Sequence, residues 1–208
     1  MAPGHASTLQ PMPRFIYLAS QSPRRSQLLT QLGIAHELLL PGTEEDAESL
    51  EEELPGEAPK AYVQRVTRLK LEAALKRLKA RGLPDAPVLC SDTTVALRRA
   101  IYAKPVDAAD AARMLQALSG HTHRVLTAVA VGWSGKQAQA CSESKVTFAP
   151  MTAAEIQAYV DSGEPMGKAG AYAVQGRAAA YISRISGSYT GIMGLPLYET
   201  AQLLKGCD

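Results

Sequence analysis

The chain has 208 residues, with 22 Lys and Arg residues against 20 Asp and Glu residues. This length accommodates one domain with a substantial apolar core. Because the charge is nearly balanced, no overall field draws the protein to nucleic acid or to a membrane surface, so any anion-binding site must be local. The three cysteines, Cys90, Cys141 and Cys207, are an odd number without CxxC spacing, which argues against a disulfide framework or a zinc site.

The N-terminal residues 1–13, MAPGHASTLQPMP, lack the basic and apolar regions of a signal peptide. We interpret residues 1–13 as a disordered extension and residues 14–208 as a single α/β domain with two lobes. No stretch of the sequence approaches the roughly 18 apolar residues that a membrane helix needs. Together with the cysteine pattern, this predicts a soluble protein of the cytoplasm.

The first predicted elements are a strand, a helix and a second strand. Residues 14–19, RFIYLA, have the apolar run of a buried strand. Ser22 suits the N-cap of the following helix, Pro23 its first position and Gly33 its end. Residues 36–42, HELLLPG, predict the second strand.

An acidic segment separates these elements from a long helix. Residues 43–59 carry most of the acids of this region and are expected to form a solvated loop with a partial helix. Residues 60–82 have the apolar spacing of one long amphipathic helix. Residues 86–97 then predict an apolar strand that stays extended beyond Asp92.

The centre of the chain predicts a helix, a β-hairpin and a further helix. Asp107 caps the first helix, and strands over residues 123–133 and 139–148 flank the turn of the hairpin. Thr152 and Glu155 have the spacing of a capping box at the start of the next helix.

The C-terminal part mixes loop and strand over residues 164–194, and Pro196 opens a final helix. Strands and helices intermingle along the chain, and one hairpin is clear. We therefore expect an α/β fold with an elongated mixed sheet flanked by helices, and two lobes with a central cleft.

Two adjacent arginines, Arg24 and Arg25, lie where the first strand turns into the first helix. A helix N-terminus has unpaired N–H groups and the positive end of the helix dipole, which favour an anion. Arginines in this turn oppose the dipole unless an anion joins them, and arginine binds phosphate in a bidentate manner. The spacing alone is equally consistent with arginines that face water.

A second candidate is Asp92, which follows an apolar run at the position where open α/β sheets bind ligands. Its carboxylate could hold a divalent metal or accept a proton from water. Alternatively, Asp92 caps a turn through its own backbone. Lys70 and Lys104 are isolated cations that would ordinarily be solvated.

A third candidate is the glycine-rich segment EPMGKAGAYAVQG, residues 164–176. Lys168 could bind an anion, and the amide of Gln175 could bind the edge of a base. The glycines could equally serve packing and tight turns.

Six segments in order carry a resemblance that none carries alone: LASQSPRR, SDTTV, AKP, LSGHTHRVLTAV, EPMGKAGAYAVQG and GSYTGIMGLPL. From Phe15 to Leu204 the chain resembles the Maf family of nucleoside triphosphate pyrophosphatases. The resemblance implies a Maf/ITPase-like fold, usually in a homodimer. It also implies metal-dependent hydrolysis, with Mg²⁺ or Mn²⁺, of a nucleoside triphosphate to the monophosphate and pyrophosphate.

The resemblance further implies roles for individual residues. Asp92 corresponds to the proton acceptor of the family, and Glu45 and Asp92 could hold the metal. Because the substrate is a polyanion, several cations should surround it. Hydroxyl and cationic contacts to the substrate are expected from Ser20, Arg24, Arg25, Lys70, Lys104 and Lys168.

Three positions resemble the subgroup that acts on dTTP and UTP: Arg24, Thr93 and Gln175. The subgroup that acts on 7-methyl-GTP usually carries tryptophan, glutamine and glutamate there. The sequence therefore predicts a housecleaning hydrolase acting on dTTP and UTP. Two alternatives stay open, namely the same chemistry on another base such as a methylated purine, and a nucleotide-binding regulator without turnover. Leu69 and Gly167, which stand where the family commonly has acids, motivate the last alternative.

Overall fold

The computed structural model describes residues 12–46 and 49–207. The predicted N-terminal extension lies outside these residues except for Met12 and Pro13. The strands are β1 (Phe15–Leu18), β2 (Ala35–Leu38), β3 (Val88–Leu97), β4 (Ala100–Tyr102), β5 (Thr122–Trp133), β6 (Lys136–Phe148) and β7 (Ile182–Ser186). The helices are α1 (Pro23–Gln31), α2 (Pro59–Ala80), α3 (Ala108–Leu118), α4 (Ala153–Asp161), α5 (Tyr189–Met193) and α6 (Leu197–Leu204), with short 3₁₀ helices at Ser49–Glu51, Ala169–Ala171 and Arg177–Tyr181.

The predicted mixed sheet is confirmed. Its strand order is β2–β1–β3–β5–β6–β7, and β4 pairs with β3. Strand β1 is parallel to β2 and β3, whereas the other pairs are antiparallel. The predicted hairpin is β5–β6, which pairs from Thr122 opposite Thr147 to Trp133 opposite Lys136.

The pairing of β3 opens a gap on one edge of the sheet. Strand β1 pairs with β3 only as far as Leu18 opposite Leu89, and β4 pairs with β3 only from Val95 onward. Among the described residues, no strand pairs with this edge of β3 over residues 90–94. The other edge stays paired with β5 throughout this stretch. A cleft can therefore reach the middle of a central strand.

The apolar core divides along the long strands. Val95 and Val125 belong to a cluster packed under α3 and α4. Leu89 and Val129, on the same two strands, belong to a cluster packed under α1 and α6. The two ends of β3 and β5 thus support two packed regions, and the gap in strand pairing lies between them.

The helix starts follow the sequence signals. Asp107 accepts a hydrogen bond from the Asp110 N–H at 2.7 Å, and Thr152 and Glu155 form the predicted capping box. Pro59 begins α2 one residue before the predicted start. Within the described ranges, no helix combines the length and apolar character required to cross a bilayer.

His123 lies in an aromatic cluster beside the cleft and is 1 % exposed. Its Nε2 is 2.8 Å from the Tyr172 hydroxyl, and its ring meets those of Phe148 and Tyr172 edge to face. Burial lowers the pKa of His123 to about 4, although the backbone of His121 partly opposes this shift. The imidazole is therefore neutral at physiological pH.

Acidification is expected to destabilise the fold through His123. Its pKa is about 4 in the folded chain against an ordinary value of 6.5, so the unfolded chain takes up the proton first as the pH falls. The free energy of unfolding should be unaffected above pH 6.5 and decrease by roughly 3 kcal/mol down to pH 4. Urea denaturation between pH 4 and 8 measures this slope.

The control for this prediction is His121, which is exposed. His123→Gln should flatten the pH dependence of the unfolding free energy, whereas His121→Gln should leave it as in the wild type. Equal slopes for His123→Gln and the wild type would contradict the prediction.

Candidate functional site

The gap beside β3 opens into a cleft of about 830 Å³. Its walls come from the loop between β1 and α1, from the middle of β3, from α2 and the loop before it, and from residues 167–169 and 192–194. Nine of the predicted site residues line it: Ser20, Arg24, Arg25, Glu45, Lys70, Asp92, Thr93, Lys104 and Lys168. The structure therefore brings together side chains that are far apart in the sequence.

Arg25 is a partly buried cation surrounded by neutral oxygens. Its Nε donates to the Gly194 carbonyl at 2.8 Å, its Nη1 to Ser20 Oγ at 2.9 Å and its Nη2 to Thr93 Oγ1 at 3.5 Å. Burial lowers the pKa of Arg25, and the more distant charge of Asp92 opposes this only in part. A buried cation without a bonded anion is unfavourable, so this environment favours binding of an anion.

Arg24 and Lys168 extend this cationic end of the cleft. Arg24 Nε donates to the Met193 carbonyl at 3.3 Å, and Lys168 Nζ to the Met166 carbonyl at 3.3 Å. Burial lowers the pKa of both groups, and the charge of Arg24 lowers that of Lys168 further. Among the described residues, neither of them nor Arg25 forms an ion pair with a carboxylate.

Another part of the cleft lining carries paired charges. Lys70 Nζ is 2.6 Å from Asp92 Oδ1 and 2.7 Å from Glu51 Oε1, and Lys104 Nζ is 3.5 Å from Glu51 Oε2. Burial disfavours the charge of Lys70, but the two carboxylates outweigh it and raise the pKa of Lys70. Likewise, burial disfavours the Glu51 charge, but Lys70 outweighs it and the pKa of Glu51 is lowered. This part of the lining therefore holds two carboxylates around one ammonium group.

Sequence reasoning missed Glu51, which was assigned to a solvated segment. The Tyr62 hydroxyl on α2 donates to the Glu51 carbonyl at 2.8 Å, and Arg65 Nη2 donates to the Glu52 carbonyl at 2.7 Å. These bonds hold the 3₁₀ helix against α2 and direct the Glu51 carboxylate into the cleft. No sequence signal separates Glu51 from the adjacent Glu52 and Glu53, because only the packing against α2 distinguishes them.

Glu45, the metal ligand that the sequence predicted beside Asp92, also lines the cleft but is bonded to Arg77. Arg77 Nε lies 2.8 Å from Glu45 Oε1, and Arg77 Nη1 donates to the Leu39 carbonyl at 2.8 Å. The hydrogen bond from Arg77 lowers the pKa of Glu45 to about 2. The Glu45–Arg77 pair thus fixes the loop after β2 to α2, and the carboxylate next to Asp92 is that of Glu51.

Gln175 is the one predicted site residue that does not line the cleft. Its side chain is exposed, and it follows the buried Val174. Glu164 fixes this turn by accepting hydrogen bonds from the Tyr159 hydroxyl at 2.8 Å and the Arg177 N–H at 3.1 Å. Arg24 and Thr93, the other two predicted specificity positions, both line the cleft.

The donor set of the cleft fits a divalent metal of the Mg²⁺ type. Asp92 and Glu51 each have an oxygen within 2.7 Å of the same ammonium nitrogen, so these oxygens converge. In residues 12–46 and 49–207, no group of three or more His, Cys, Asp or Glu side chains could hold a metal. Mg²⁺ is commonly bound by one or two carboxylates, with substrate phosphates and water completing its shell. Two converging carboxylates next to free cations match that pattern.

A cleft with a cationic end and a carboxylate-bearing wall defines a protein that binds a polyanionic ligand. The sequence profile of the family described as Maf-like protein matches residues 15–207. The chain belongs to this Maf-like family.

Relatives of the chain carry a specific name. A protein of Albidiferax ferrireducens named dTTP/UTP pyrophosphatase is 71% identical over 194 residues, which cover 93% of this chain and 97% of that protein. Proteins with the same name from a Polaromonas species and from Burkholderia pseudomallei are 66% and 58% identical, and the alignments cover 94% and 98% of this chain and 96% and 97% of those proteins.

Removal of the Arg25 charge is expected to weaken binding of an inorganic polyanion. In the Arg25→Gln variant, the affinity for tripolyphosphate should fall about tenfold or more, because a buried charge-assisted contact is lost. Isothermal titration calorimetry at low ionic strength measures the dissociation constant. The exposed Arg99 provides a control, since Arg99→Gln should bind as the wild type does. If the two variants had equal affinities for tripolyphosphate, the assignment of Arg25 to the anion site would be wrong.

Proposed function

We propose that the chain is a nucleoside triphosphate pyrophosphatase that hydrolyses dTTP and UTP to the nucleoside monophosphate and pyrophosphate. The observation that carries this proposal is that one cleft joins two kinds of charged group. Arg24, Arg25 and Lys168 have no carboxylate partner among the described residues, and the carboxylates of Asp92 and Glu51 line the same cleft. The names of the relatives, at 58% to 71% identity, support the choice of substrates.

The cations would bind the triphosphate and neutralise the charge that develops on the leaving pyrophosphate. Phosphoryl transfer depends chiefly on positioning and on such electrostatic stabilisation. Arg24 and Arg25 offer guanidinium N–H groups, and Lys168 offers an ammonium group without a carboxylate partner among the described residues. These groups would meet the phosphates with little competition from carboxylates of the protein.

Asp92 would act as the proton acceptor. A water oxygen attacks the α-phosphorus, the bond from that phosphorus to the oxygen bridging it to the β-phosphorus breaks, and the water proton passes to the Asp92 carboxylate. Lys70, at 2.6 Å from Asp92 Oδ1, fixes the orientation of this carboxylate. The second oxygen of Asp92 then remains available to the water.

Asp92 and Glu51 are the residues that would hold Mg²⁺ or Mn²⁺. A bound divalent cation would add positive charge next to the reacting phosphate. Release of the Lys70 ammonium from one of the two carboxylates would make room for it, and the freed N–H groups of Lys70 would then contact phosphate.

Arg24 and Thr93 are proposed to contribute to the choice of base because both line the cleft. Gln175, which is exposed, is proposed as the third specificity residue on the strength of the resemblance alone. We further propose that the protein acts on free nucleotides in the cytoplasm as a homodimer, without nucleic acid or membrane partners, as the family resemblance implies.

Replacement of Asp92, the proposed proton acceptor, should abolish turnover. Asp92→Asn should lower kcat for UTP by about 10³-fold with little change in nucleotide affinity, because an amide cannot accept the proton. The measurement is pyrophosphate and orthophosphate release from a panel of nucleoside triphosphates, with each metal in turn. The exposed Asp85 serves as the control, and Asp85→Asn should keep full activity.

The product pattern decides among the alternatives. Release of orthophosphate in place of pyrophosphate would contradict cleavage between the α- and β-phosphates. Preference for 7-methyl-GTP would show that the substrate base is a methylated purine. If the wild type bound nucleotides without any turnover, the result would support the alternative of a nucleotide-binding regulator and contradict the proposed enzyme.

The two candidate metal ligands can be separated by a binding measurement. Glu51→Gln should weaken Mn²⁺ binding about tenfold in the presence of a non-hydrolysable UTP analogue, because one carboxylate ligand is lost. Glu45→Gln should bind Mn²⁺ as the wild type does, because Glu45 is bonded to Arg77. Electron paramagnetic resonance of free Mn²⁺ gives the affinities. The reverse result would make Glu45 the ligand and exclude Glu51.

A further inference from the structure

The cleft has an apolar end as well as a cationic end. Five apolar lining residues belong to one packed cluster and are each at most 8 % exposed, namely Val95, Val125, Tyr172, Val174 and Ile192. A triphosphate belongs at the cationic end, so the flat, weakly polar base belongs at the apolar end. Thr93 lies between the two, since Arg25 is on one side of it and Val95, two residues along the same face of β3, is on the other.

The hydroxyl of Thr93 belongs to a chain of hydrogen bonds whose direction is fixed. Thr127 Oγ1 is 2.7 Å from the Gly191 carbonyl oxygen, which can only accept, so Thr127 donates its proton there. Thr127 is 1 % exposed, so its hydroxyl has no solvent alternative. Thr93 Oγ1 is 3.0 Å from Thr127 Oγ1. Because Thr127 has no proton left, Thr93 must be the donor in this second bond.

The consequence is that Thr93 offers only a lone pair to a ligand. Its single proton points to Thr127, and its oxygen already receives the weak bond from Arg25 Nη2 at 3.5 Å. Thr93 lines the cleft and is only partly buried, so this oxygen is accessible from the cleft. An accessible hydroxyl that can only accept favours a ligand with an N–H group at that point.

We propose that Thr127 is a positioning residue for base specificity, which acts by making Thr93 an acceptor for the N3–H of uracil or thymine. Cytosine has no proton on N3, so its lone pair would face the Thr93 lone pair. This inference rests on the proposed function and deepens it, since it assigns a side chain outside the cleft lining to the choice between two pyrimidines of the same size.

The test compares UTP with CTP as substrates. The wild type should show a kcat/KM for UTP about tenfold or more above that for CTP, which corresponds to one mismatched hydrogen bond. In Thr127→Val the Thr93 proton is released and can turn toward the cytosine N3. The UTP-to-CTP ratio should then fall about tenfold toward unity. Thr127→Ser retains the hydroxyl and should retain the wild-type ratio.

If Thr127 had a purely structural role, Thr127→Val would lower kcat/KM for UTP and for CTP equally. The UTP-to-CTP ratio would then be unchanged, and this result would overturn the proposal. Thr122→Val is the matched control, since Thr122 forms an exposed hydroxyl pair with Thr147 on the same two strands that carry the hairpin. The wild type alone provides a second measurement should Thr127→Val fold poorly: equal turnover of CTP and UTP also overturns the inference. Absence of UTP and dTTP turnover in the wild type would instead overturn the proposed function.

Discussion

The site depends on an interruption in the pairing of one central strand. Strand β3 pairs with β5 from Val88 to Ala96, yet its other edge has partners only at its two ends. Because β1 ends at Leu18 and the antiparallel β4 ends at Tyr102, opposite Val95, the middle of β3 borders a cleft. Asp92 and Thr93 lie in this stretch and direct their side chains to opposite faces of the sheet, as neighbouring residues of a strand do. One interruption therefore exposes both an acid and a hydroxyl.

The charges of the cleft are arranged unequally. In one part of the lining Lys70 pairs with Asp92 and Glu51. Lys104 also pairs with Glu51, so two ammonium groups balance the two carboxylates. Elsewhere in the lining, and within the described part of the chain, Arg24 and Arg25 bond only to neutral oxygens. Removal of these guanidinium groups from water costs free energy that no bonded carboxylate returns. A bound polyanion would supply that compensation, which supports the proposed role of these cations in binding a triphosphate.

Two neutral backbone carbonyls position polar side chains of the cleft. The carbonyl of Gly194 accepts from both Arg25 Nε and Ser91 Oγ, so α5 and β3 position the arginine together. The carbonyl of Gly191 receives the Thr127 proton and so fixes the hydroxyl of Thr93. Both carbonyls come from the short helix α5 or the residue after it. This helix thus helps to position Arg25 and Thr93, the residues proposed to contact the phosphates and the base.

Most of the elements and much of the site were predictable from the sequence, because they rest on local signals. The spacing of apolar residues, the helix caps and the turn glycines are signals that lie within a few residues of one another. For this reason the predictions of the β5–β6 hairpin, of α3 and of the capping box of α4 were correct. The cationic residues were found through motifs and their order. Glu51 was missed because three consecutive glutamates look alike until α2 packs against one of them. The pairing of Glu45 with Arg77, 32 residues further along the chain, was likewise not visible in the sequence.

The sequence by itself determined the family, the order of strands and helices, and the presence of two arginines at a helix start. Only the tertiary structure decided which carboxylate stands beside Asp92, that Gln175 faces outward, and which way the proton of Thr93 points. The physical reason is that secondary structure follows from short-range backbone preferences. Charge pairing and hydrogen-bond direction depend instead on atoms that meet only after distant segments have packed.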